Sequence, residues 1–270
     1  MRLILSRKGF DSESGGFPSP ILPDGRMVSL PIPDCGARAR YGELHPRRLP
    51  MSDLVRDLTN GRCGPRTRAH LDPDLERTSV RRRPGWRPAF GQTGPAASHL
   101  DRHGVGAGDL FLFFGLFRPV ERCEGRWRYV RGAAAEHILF GWLRVGRMIS
   151  SPEEHVPGWL EDHPHALERG WPGSRIYVAA RPIDGGVFSR HDPRLRLTAP
   201  GASSSVWQLP AAFMPRGRPP LSYHGDSARW SRRGAVCHLR TVARGQEFVL
   251  DCDKYPAVRR WAEGLVGRAA

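Results

Sequence analysis

The sequence has few lysines, few cysteines and no apolar run long enough to cross a membrane. Its five cysteines lie far apart without a C-x-x-C pair. This spacing argues against a disulfide framework or a zinc knuckle and for free thiols in a reducing cytoplasm. Near the N-terminus, the apolar stretch Leu3 to Leu5 is too short for a signal peptide. We therefore expect a cytoplasmic protein without a membrane anchor.

The second feature is a large excess of positive charge. The formal net charge is +15 and the pI is near 10.9, which favours a polyanionic partner such as a nucleic acid or the phosphate of a nucleotide. Among 42 basic residues, only Lys8 and Lys254 are lysines. GC-rich coding produces such a preference for arginine over lysine, so the choice of arginine is not by itself evidence for a function. The excess of positive charge is still present.

Two aromatic-rich segments predict the centre of the fold. Gly108–Arg118 (GDLFLFFGLFR) and His137–Arg147 (HILFGWLRVGR) are short apolar runs interrupted by glycine, a pattern typical of buried strands. We expect one α/β (α+β) domain over residues 1–270, with short flanking helices and long ordered loops. Its centre would be a twisted β-sheet or a partly closed β-barrel. The side chains of Phe111 or Leu112, and of Phe113, should be almost fully buried.

Weaker patterns predict the remaining elements. Alternation of apolar residues favours strands, and helical spacing together with capping residues favours helices. The predicted strands are Arg2–Ser6, Arg26–Asp34, Ser174–Ala180 and Glu247–Asp251. The predicted helices are Met51–Leu58, a short helix that ends near Asp101–His103, and a C-terminal helix with Val258, Trp261, Ala262 and Leu265 on one face.

A long loop rich in Gly, Pro and Ser follows the first strand. Loops of this length within a domain are usually functional or disordered. Asp11, Ser12 and Ser19, with two glycines between them, could offer hydroxyl and backbone N–H groups to a phosphate or a sugar. A mobile loop capped by side-chain turns is the alternative. We favour a packed loop because strand-like residues follow at once.

His70 and Asp72 form an H-x-D pair. This spacing supplies two of the three ligands in Fe(II) oxygenases that use two histidines and one carboxylate. The third ligand would be a distant histidine, with His224 as the first candidate and His191 and His238 as others. Arg232 or Arg233, soon after His224, could then bind a carboxylate. The alternative is a turn at Pro73 in which the carboxylates cap the next segment.

A run of basic residues surrounds a tryptophan. Arg81, Arg82 and Arg83 could contact phosphates while the indole of Trp86 stacks on a base. A solvated basic loop is an equal alternative. The amide of Gln92 suits the edge of a nucleobase, and it suits a buried backbone contact just as well.

The richest cluster of carboxylates and imidazoles lies in a proline-containing segment. It comprises Glu153, Glu154, His155, Asp162, His163 and His165. Because the segment is hydrophilic, we interpret it as a surface excursion. A metal site in this segment is the less favoured hypothesis.

Aromatic side chains near the central strands could stack on a base. Phe114, Trp142 and Trp207 are the candidates, and for Trp207 packing in the core is the favoured interpretation. Glu247, at the start of a strand, could orient a ribose or act as a general base. Pairing with an arginine is the commoner role for such a residue.

Polar residues at strand ends from distant parts of a chain often meet in one cleft. We therefore predict that Asp11, His70, Asp72 and Glu247 surround a single cleft, where Arg7 or another arginine meets an anion. His70 would serve there as a metal ligand or as an acid/base near neutral pH.

Several blocks carry a family resemblance. They are SRKGFDSESGGFPSPILPDGRMVSLPIPD, AHLDPDL, FGQTGPAASHL, VGAGDLFLFFGLFR, SSSVWQLPAAF and RGQEFVLD. Together they are similar to the family called nucleotide modification associated domain, third type. The resemblance implies an association with systems that modify nucleotides or DNA bases, and it implies neither a reaction nor catalytic residues. Within residues 90–180, a GD dipeptide opens an apolar strand and is followed by the strand ILFGWLRVG. This pattern resembles small barrels of the PUA, ASCH and EVE type, which hold modified bases in an aromatic-lined pocket.

Two functions follow as hypotheses. In the first, the protein recognises or processes a nucleotide or modified base. In the second, it is a metal-dependent enzyme, similar to Fe(II)/2-oxoglutarate oxygenases, or another enzyme acting on a small nucleotide-like or amino-acid-derived substrate.

Overall fold

The computed structural model describes residues 1–11, 15–151, 154–167, 173–243 and 245–267. These ranges contain twelve strands and three α-helices. The strands are β1 (Arg2–Arg7), β2 (Ser19–Ile21), β3 (Ala89–Gln92), β4 (Leu110–Cys123), β5 (Arg126–Tyr129), β6 (Glu136–Ser151), β7 (Ser174–Ala179), β8 (Gly185–Val187), β9 (Val206–Pro210), β10 (Trp230–Arg233), β11 (Val236–Arg240) and β12 (Glu247–Asp251). The helices are α1 (Met51–Leu58), α2 (Gly94–Arg102) and α3 (Pro256–Val266).

Nine strands form one mixed sheet. Its main path runs β12-β1-β4-β6-β7-β3, while β2 and β5 pair with β4 and β8 pairs with β6. β1 lies parallel to β4, and the other neighbours along the path are antiparallel. The remaining strands form a separate antiparallel sheet in the order β10-β11-β9. The predicted α/β class and single domain are confirmed.

The two aromatic-rich segments are the central strands β4 and β6. Phe111, Leu112 and Phe113 have no exposed surface, as the sequence predicts. Their strand is sandwiched between β1 and β6, which explains why its side chains are apolar in succession and not in alternation. The glycine within this run is required by packing, since a Cβ at Gly115 would lie 2.8 Å from the carbonyl oxygen of Lys8.

The large sheet curls without closing. Phe90 in β3 packs against Phe111 and Phe113 in β4, with ring centroids 5.0 and 5.1 Å apart. These contacts cross the interior between an edge strand and a central strand. In the described part of the chain, the edge strands β3 and β12 form no backbone ladder with each other. The structure is therefore an open, strongly curved sheet.

One predicted strand is wrong. Residues Arg26–Asp34 form isolated bridges, from Met27 to Ile21 and from Pro33 to Ala69. Pro31 and Pro33 lack the backbone N–H that a ladder requires, so the segment cannot continue a strand. The predicted helices are confirmed as α1, α2 and α3. Among the described helices, none is long and apolar enough to cross a lipid bilayer.

Candidate functional site

A cleft of about 510 Å³ opens where β1 and β3 end. The loop that contains His70 and the connection between β6 and β7 complete its walls. Its polar and glycine lining consists of Arg7, Lys8, Gly9, Asp11, Asp34, Gly36, His70, Asp72, Gln92, Thr93, His165 and Gln246. Residues from six separate parts of the sequence therefore meet here, as expected for loops at strand ends.

Three side chains in this cleft are grouped like metal ligands. His70, Asp72 and His165 each place one nitrogen or oxygen within 4.8 Å of the others. Two donors about 2.1 Å from a shared ion are at most about 4.2 Å apart, so a pair at the 4.8 Å limit must close by about half an ångström on binding. Two imidazoles and one carboxylate are a donor set for Fe(II) and similar divalent ions.

Hydrogen bonds orient two of these three side chains. Nδ1 of His70 lies 2.8 Å from Oδ2 of Asp34. With the ring proton on this nitrogen, Nε2 of His70 keeps its lone pair. The backbone N–H of Gly91 donates to Oδ1 of Asp72 at 2.7 Å. Such outer contacts are typical of ligand sets, because they fix the tautomer of the histidine and the direction of the carboxylate.

Gly91 also sets the position of His165. A Cβ at Gly91 would lie 2.2 Å from Cδ2 of His165, closer than any real contact. The imidazole therefore packs flat against the backbone of β3, where only glycine leaves room. Nε2 of His165 lies 3.8 Å from Oδ2 of Asp72.

The local charges favour an ionised aspartate beside a neutral histidine. Burial alone would raise the pKa of Asp72, but the adjacent imidazoles of His163 and His165 outweigh it and the pKa falls to about 2. Burial lowers the pKa of His165 to about 3. Nε2 of His163 approaches Oδ1 of Asp72 to 3.3 Å, without the alignment of a regular hydrogen bond.

A second polar group lies at the edge of the cleft. Nζ of Lys8 lies 3.0 Å from Oε1 of Glu247, and the amide of Gln92 donates to the same oxygen at 2.7 Å. Glu247 is only 1% exposed, and its Oε2 is buried without a hydrogen-bond partner. The ammonium of Lys8 also sits 4.6 Å from the centroid of the Phe90 ring.

Three of the four residues predicted to share one cleft line it directly. These are Asp11, His70 and Asp72, with Arg7 beside Asp11 at 3.8 Å. Glu247 does not line the cleft. It contacts Lys8 and Gln92, which do line it. Its partner is a lysine and not an arginine.

Ser12 and Ser19 of the long loop were predicted to contact a ligand. Ser12 lies outside the described residues. Ser19 is buried, and its Oγ accepts a hydrogen bond from the backbone N–H of Leu30 at 3.1 Å. Its hydroxyl therefore ties two parts of the loop together and does not line the cleft.

The distant histidine in the cluster is His165 and not His224. His224 is fully buried against Phe248, with ring centroids 4.8 Å apart. Its Nδ1 contacts the carbonyl oxygen of Ser222 at 2.8 Å, and its Nε2 accepts the N–H of Val242 at 3.3 Å. Both ring nitrogens are thus engaged with the backbone, which leaves neither for a shared metal with His70.

The carboxylate–imidazole segment is only partly a surface excursion. Glu154, His155 and Asp162 are exposed, Glu153 lies outside the described residues, and His163 and His165 are buried. The H-x-H spacing of these two histidines was the available signal, because it matches the H-x-D spacing of His70 and Asp72 and places two imidazoles on one short turn.

A family model described as nucleotide modification associated domain 3 matches residues 2–251. The chain belongs to this family. The family's description associates it with nucleotide modification in general. No curated protein and no solved structure matches the chain. The resemblance of residues 90–180 to PUA-type barrels therefore stays a prediction.

In this nucleotide modification associated domain, the aromatic residues predicted to stack on a base lie in the core. Phe114 and Trp207 are each 1% exposed and Trp142 is 5% exposed. The ring of Trp207 packs edge-on against Phe114 at 4.9 Å, and its indole N–H donates to Nδ1 of His137 at 3.0 Å. Core packing, the favoured interpretation for Trp207, is what the structure shows.

Side chains of the basic run also make more contacts within the protein than the sequence indicates. Trp86 is 4% exposed, and its indole N–H donates to Oδ2 of Asp74 at 3.0 Å. Arg82 pairs with the same carboxylate and covers the indole ring. Trp86 therefore has no open face for a base. Arg83 pairs with Glu161 at 2.8 Å, and Arg81 is exposed.

Proposed function

We propose that the protein is a metal-dependent enzyme that binds a nucleotide in this cleft and modifies its base. The observation that carries the proposal is the cluster of His70, Asp72 and His165, together with the bond from His70 to Asp34. A histidine held by a carboxylate, beside a second histidine and an aspartate, is the arrangement of metal ligands.

The donor set favours a particular chemistry. Three protein ligands leave coordination positions open for a substrate or a water molecule. A divalent ion held there would polarise a substrate oxygen or activate water, and Fe(II) would support oxidation of a base with dioxygen as the oxidant. The protein's own contribution is to hold the imidazole of His165 neutral and the carboxylate of Asp72 ionised, and to orient all three side chains from β3 and the two loops.

The charges along the cleft no longer oppose an anionic ligand once a divalent ion is bound. Asp11, Asp34, Asp72, Arg7 and Lys8 line the cleft, and Glu247 is the counter-ion of Lys8. These six side chains sum to two negative charges, which a divalent ion neutralises. Arg7 is then the natural contact for a phosphate, since Lys8 is already paired with Glu247. The volume of the cleft falls within the range of small-molecule sites.

Gln92 does not serve as a free reader of a base edge in this arrangement. Its amide nitrogen donates to Glu247, and its oxygen accepts the N–H of Thr93 at 3.1 Å. A buried contact was the alternative interpretation of Gln92, and it agrees better with these two hydrogen bonds. We assign Gln92 the role of holding Lys8 and Glu247 in place at the rim.

The test is nucleotide binding with and without metal. We expect nucleoside 5′-monophosphates to bind at least about tenfold more tightly in Mn²⁺ than in EDTA, because the ion neutralises the negative charge of the cleft. His165→Ala should abolish this difference, whereas His45→Ala, a change at an exposed histidine outside the cleft, should preserve it. Equal binding in EDTA and Mn²⁺ by the wild-type protein would contradict the proposal.

Catalysis is then tested by mass spectrometry. Nucleotides and oligonucleotides are incubated with the protein loaded with Fe(II), Mn²⁺ or Zn²⁺. A mass change of the base that requires both the metal and His70 would establish an enzyme. Tight metal-dependent binding without any mass change would instead support a protein that recognises a nucleotide.

A further inference from the structure

Tyr223 is an exposed aromatic residue with an unusual backbone conformation. It is 47% exposed, and among the described residues Ile183 is the other large apolar side chain exposed to this degree. Its φ is 66°, in the left-handed region that bulky residues rarely adopt. Backbone conformations of this kind concentrate at binding and catalytic sites, where the surrounding structure maintains them.

Aromatic neighbours hold this side chain in place. The ring of Tyr223 stacks on His99 in α2, with centroids 4.4 Å apart and planes 28° from parallel. His99 contacts His103 at 4.5 Å, and its Nε2 lies 3.1 Å from Oγ of Ser222. Phe248 also contacts the Tyr223 ring in an edge-to-face arrangement, with centroids 6.2 Å apart. Tyr223 is therefore a supported ring and not a freely rotating surface side chain.

The ring of Tyr223 packs against the segment that leads into the cleft. A Cβ at Gly245 would lie 3.2 Å from the ring of Tyr223. The next residue, Gln246, lines the cleft, and its carbonyl oxygen accepts the N–H of Arg7 at 2.8 Å. Tyr223 therefore packs against the residue that immediately precedes a residue of the cleft lining.

Positive charge accompanies the ring. Tyr223 and Arg229 line the same open depression of about 450 Å³, and Arg229 is anchored by the carbonyl oxygen of Arg240 at 3.2 Å. The chain as a whole carries a net charge of +15. An exposed ring beside an arginine is the combination by which proteins bind single strands, with bases stacked on the ring and phosphates near the cation.

We propose that Tyr223 stacks on an unpaired base of a single-stranded nucleic acid while the adjacent nucleotide enters the cleft. The proposal deepens the proposed function and rests on it, since it identifies the substrate as a nucleotide within a single strand and not as a free nucleotide. In a duplex, stacking covers both faces of a base. Enzymes that act on a base therefore use single strands or extrude the base from the stack.

The test measures binding of a fluorescent ten-nucleotide single strand, the matching duplex and a free mononucleotide by anisotropy. Loss of one stacking contact weakens binding about 5- to 150-fold, so Tyr223→Ala should lose affinity for the single strand by that factor. Tyr223→Phe keeps the ring and should bind like the wild type. Ile183→Ala, at the other exposed apolar side chain, is the matched control and should have no effect.

A second variant separates binding from folding. Tyr223→Gly adopts a φ of 66° without strain, so it should fold as well as the wild type and still lose affinity. Unchanged single-strand affinity in both the alanine and glycine variants would overturn the proposal, as would equal affinity of the wild type for duplex and single strand. Metal uptake should be normal in every Tyr223 variant. Failure of the proposed function would appear differently, as absent metal uptake with intact binding of the strand.

Discussion

The side-chain amide of Gln92 donates a 2.7 Å hydrogen bond to Oε1 of Glu247, and this bond joins the two edge strands of the large sheet. β3 and β12 lie at opposite ends of the strand path, yet the sheet curls far enough for their side chains to meet. Lys8, just after β1, shares the same carboxylate oxygen. A three-residue polar contact thus replaces the backbone ladder that would close a barrel, and it leaves the cleft beside it.

The first prediction concerns this contact. Glu247→Ala should destabilise the protein by about 3–5 kcal/mol, because it leaves the ammonium of Lys8 buried without its counter-ion. The double variant Lys8→Met with Glu247→Leu should recover most of this loss. Urea unfolding gives both values. Glu263→Ala breaks the exposed pair with Arg259 and should cost less than about 0.5 kcal/mol. A Glu247 variant as stable as the Glu263 variant would refute the structural role.

The second prediction concerns the central strand. Phe113→Ala should lower the free energy of unfolding by about 3–5 kcal/mol, since the ring is fully buried and its removal leaves a cavity. Chemical denaturation measures the change, with Ile183→Ala as an exposed comparison. If the Phe113 variant unfolds at the same denaturant concentration as the wild type, β4 is not the centre of the core.

The third prediction concerns Gly91. A methyl group at this position collides with the ring of His165, so Gly91→Ala should shift the imidazole and weaken metal binding at least about tenfold. Gly186→Ala in β8 is a matched control, because its Cβ would approach no atom closer than 3.9 Å. Isothermal titration with Mn²⁺ compares the two. Equal affinities would show that His165 is not a ligand.

The fourth prediction concerns pH. Burial, assisted by the charge of Arg7 and opposed by that of Asp11, lowers the pKa of His137 from 6.5 to about 4. The unfolded chain therefore takes up this proton first, and stability should fall as the pH drops from about 6.5 towards 4. His137→Gln should flatten this slope by up to about 1.4 kcal/mol per pH unit.

Unfolding measured from pH 7.5 to 4.5 gives that slope. His155→Gln, at an exposed histidine, should retain the wild-type dependence. A His137 variant with the full wild-type slope would mean that this imidazole titrates normally in the folded protein.

The sequence predicted the local features of the fold better than the distant ones. β4 and β6 could be located because a short apolar run bracketed by glycine is typical of a buried strand. The meeting of Gln92 with Glu247 joins residues 155 positions apart, and no local pattern encodes it. The strand predicted at Arg26–Asp34 does not form. The prediction relied on the apolar residues of this segment and gave too little weight to its two prolines, which lack the backbone N–H that a strand ladder requires.

The same contrast between local and distant features applies to the candidate site. The H-x-D spacing identified His70 and Asp72, but the choice among distant histidines depended on how the chain folds back. His165 was not predicted as the third member of the cluster because its segment is hydrophilic, although tertiary packing buries it against Gly91. Trp86 appeared available to a base because its partner Asp74 stands twelve residues earlier. In both cases tertiary packing against another segment decided the environment of the side chain.

The most direct test of the proposed metal centre is the metal content of the purified protein after loading with Fe(II) or Mn²⁺ and removal of excess ion. We predict one ion per chain in the wild type and in His224→Gln, and less than about a tenth of that in His70→Ala and His165→Ala, because losing one of three ligands removes most of the affinity. Far-ultraviolet circular dichroism confirms that each variant is folded. A wild-type protein that takes up no metal, or a loss caused by His224→Gln and not by His165→Ala, would contradict the account.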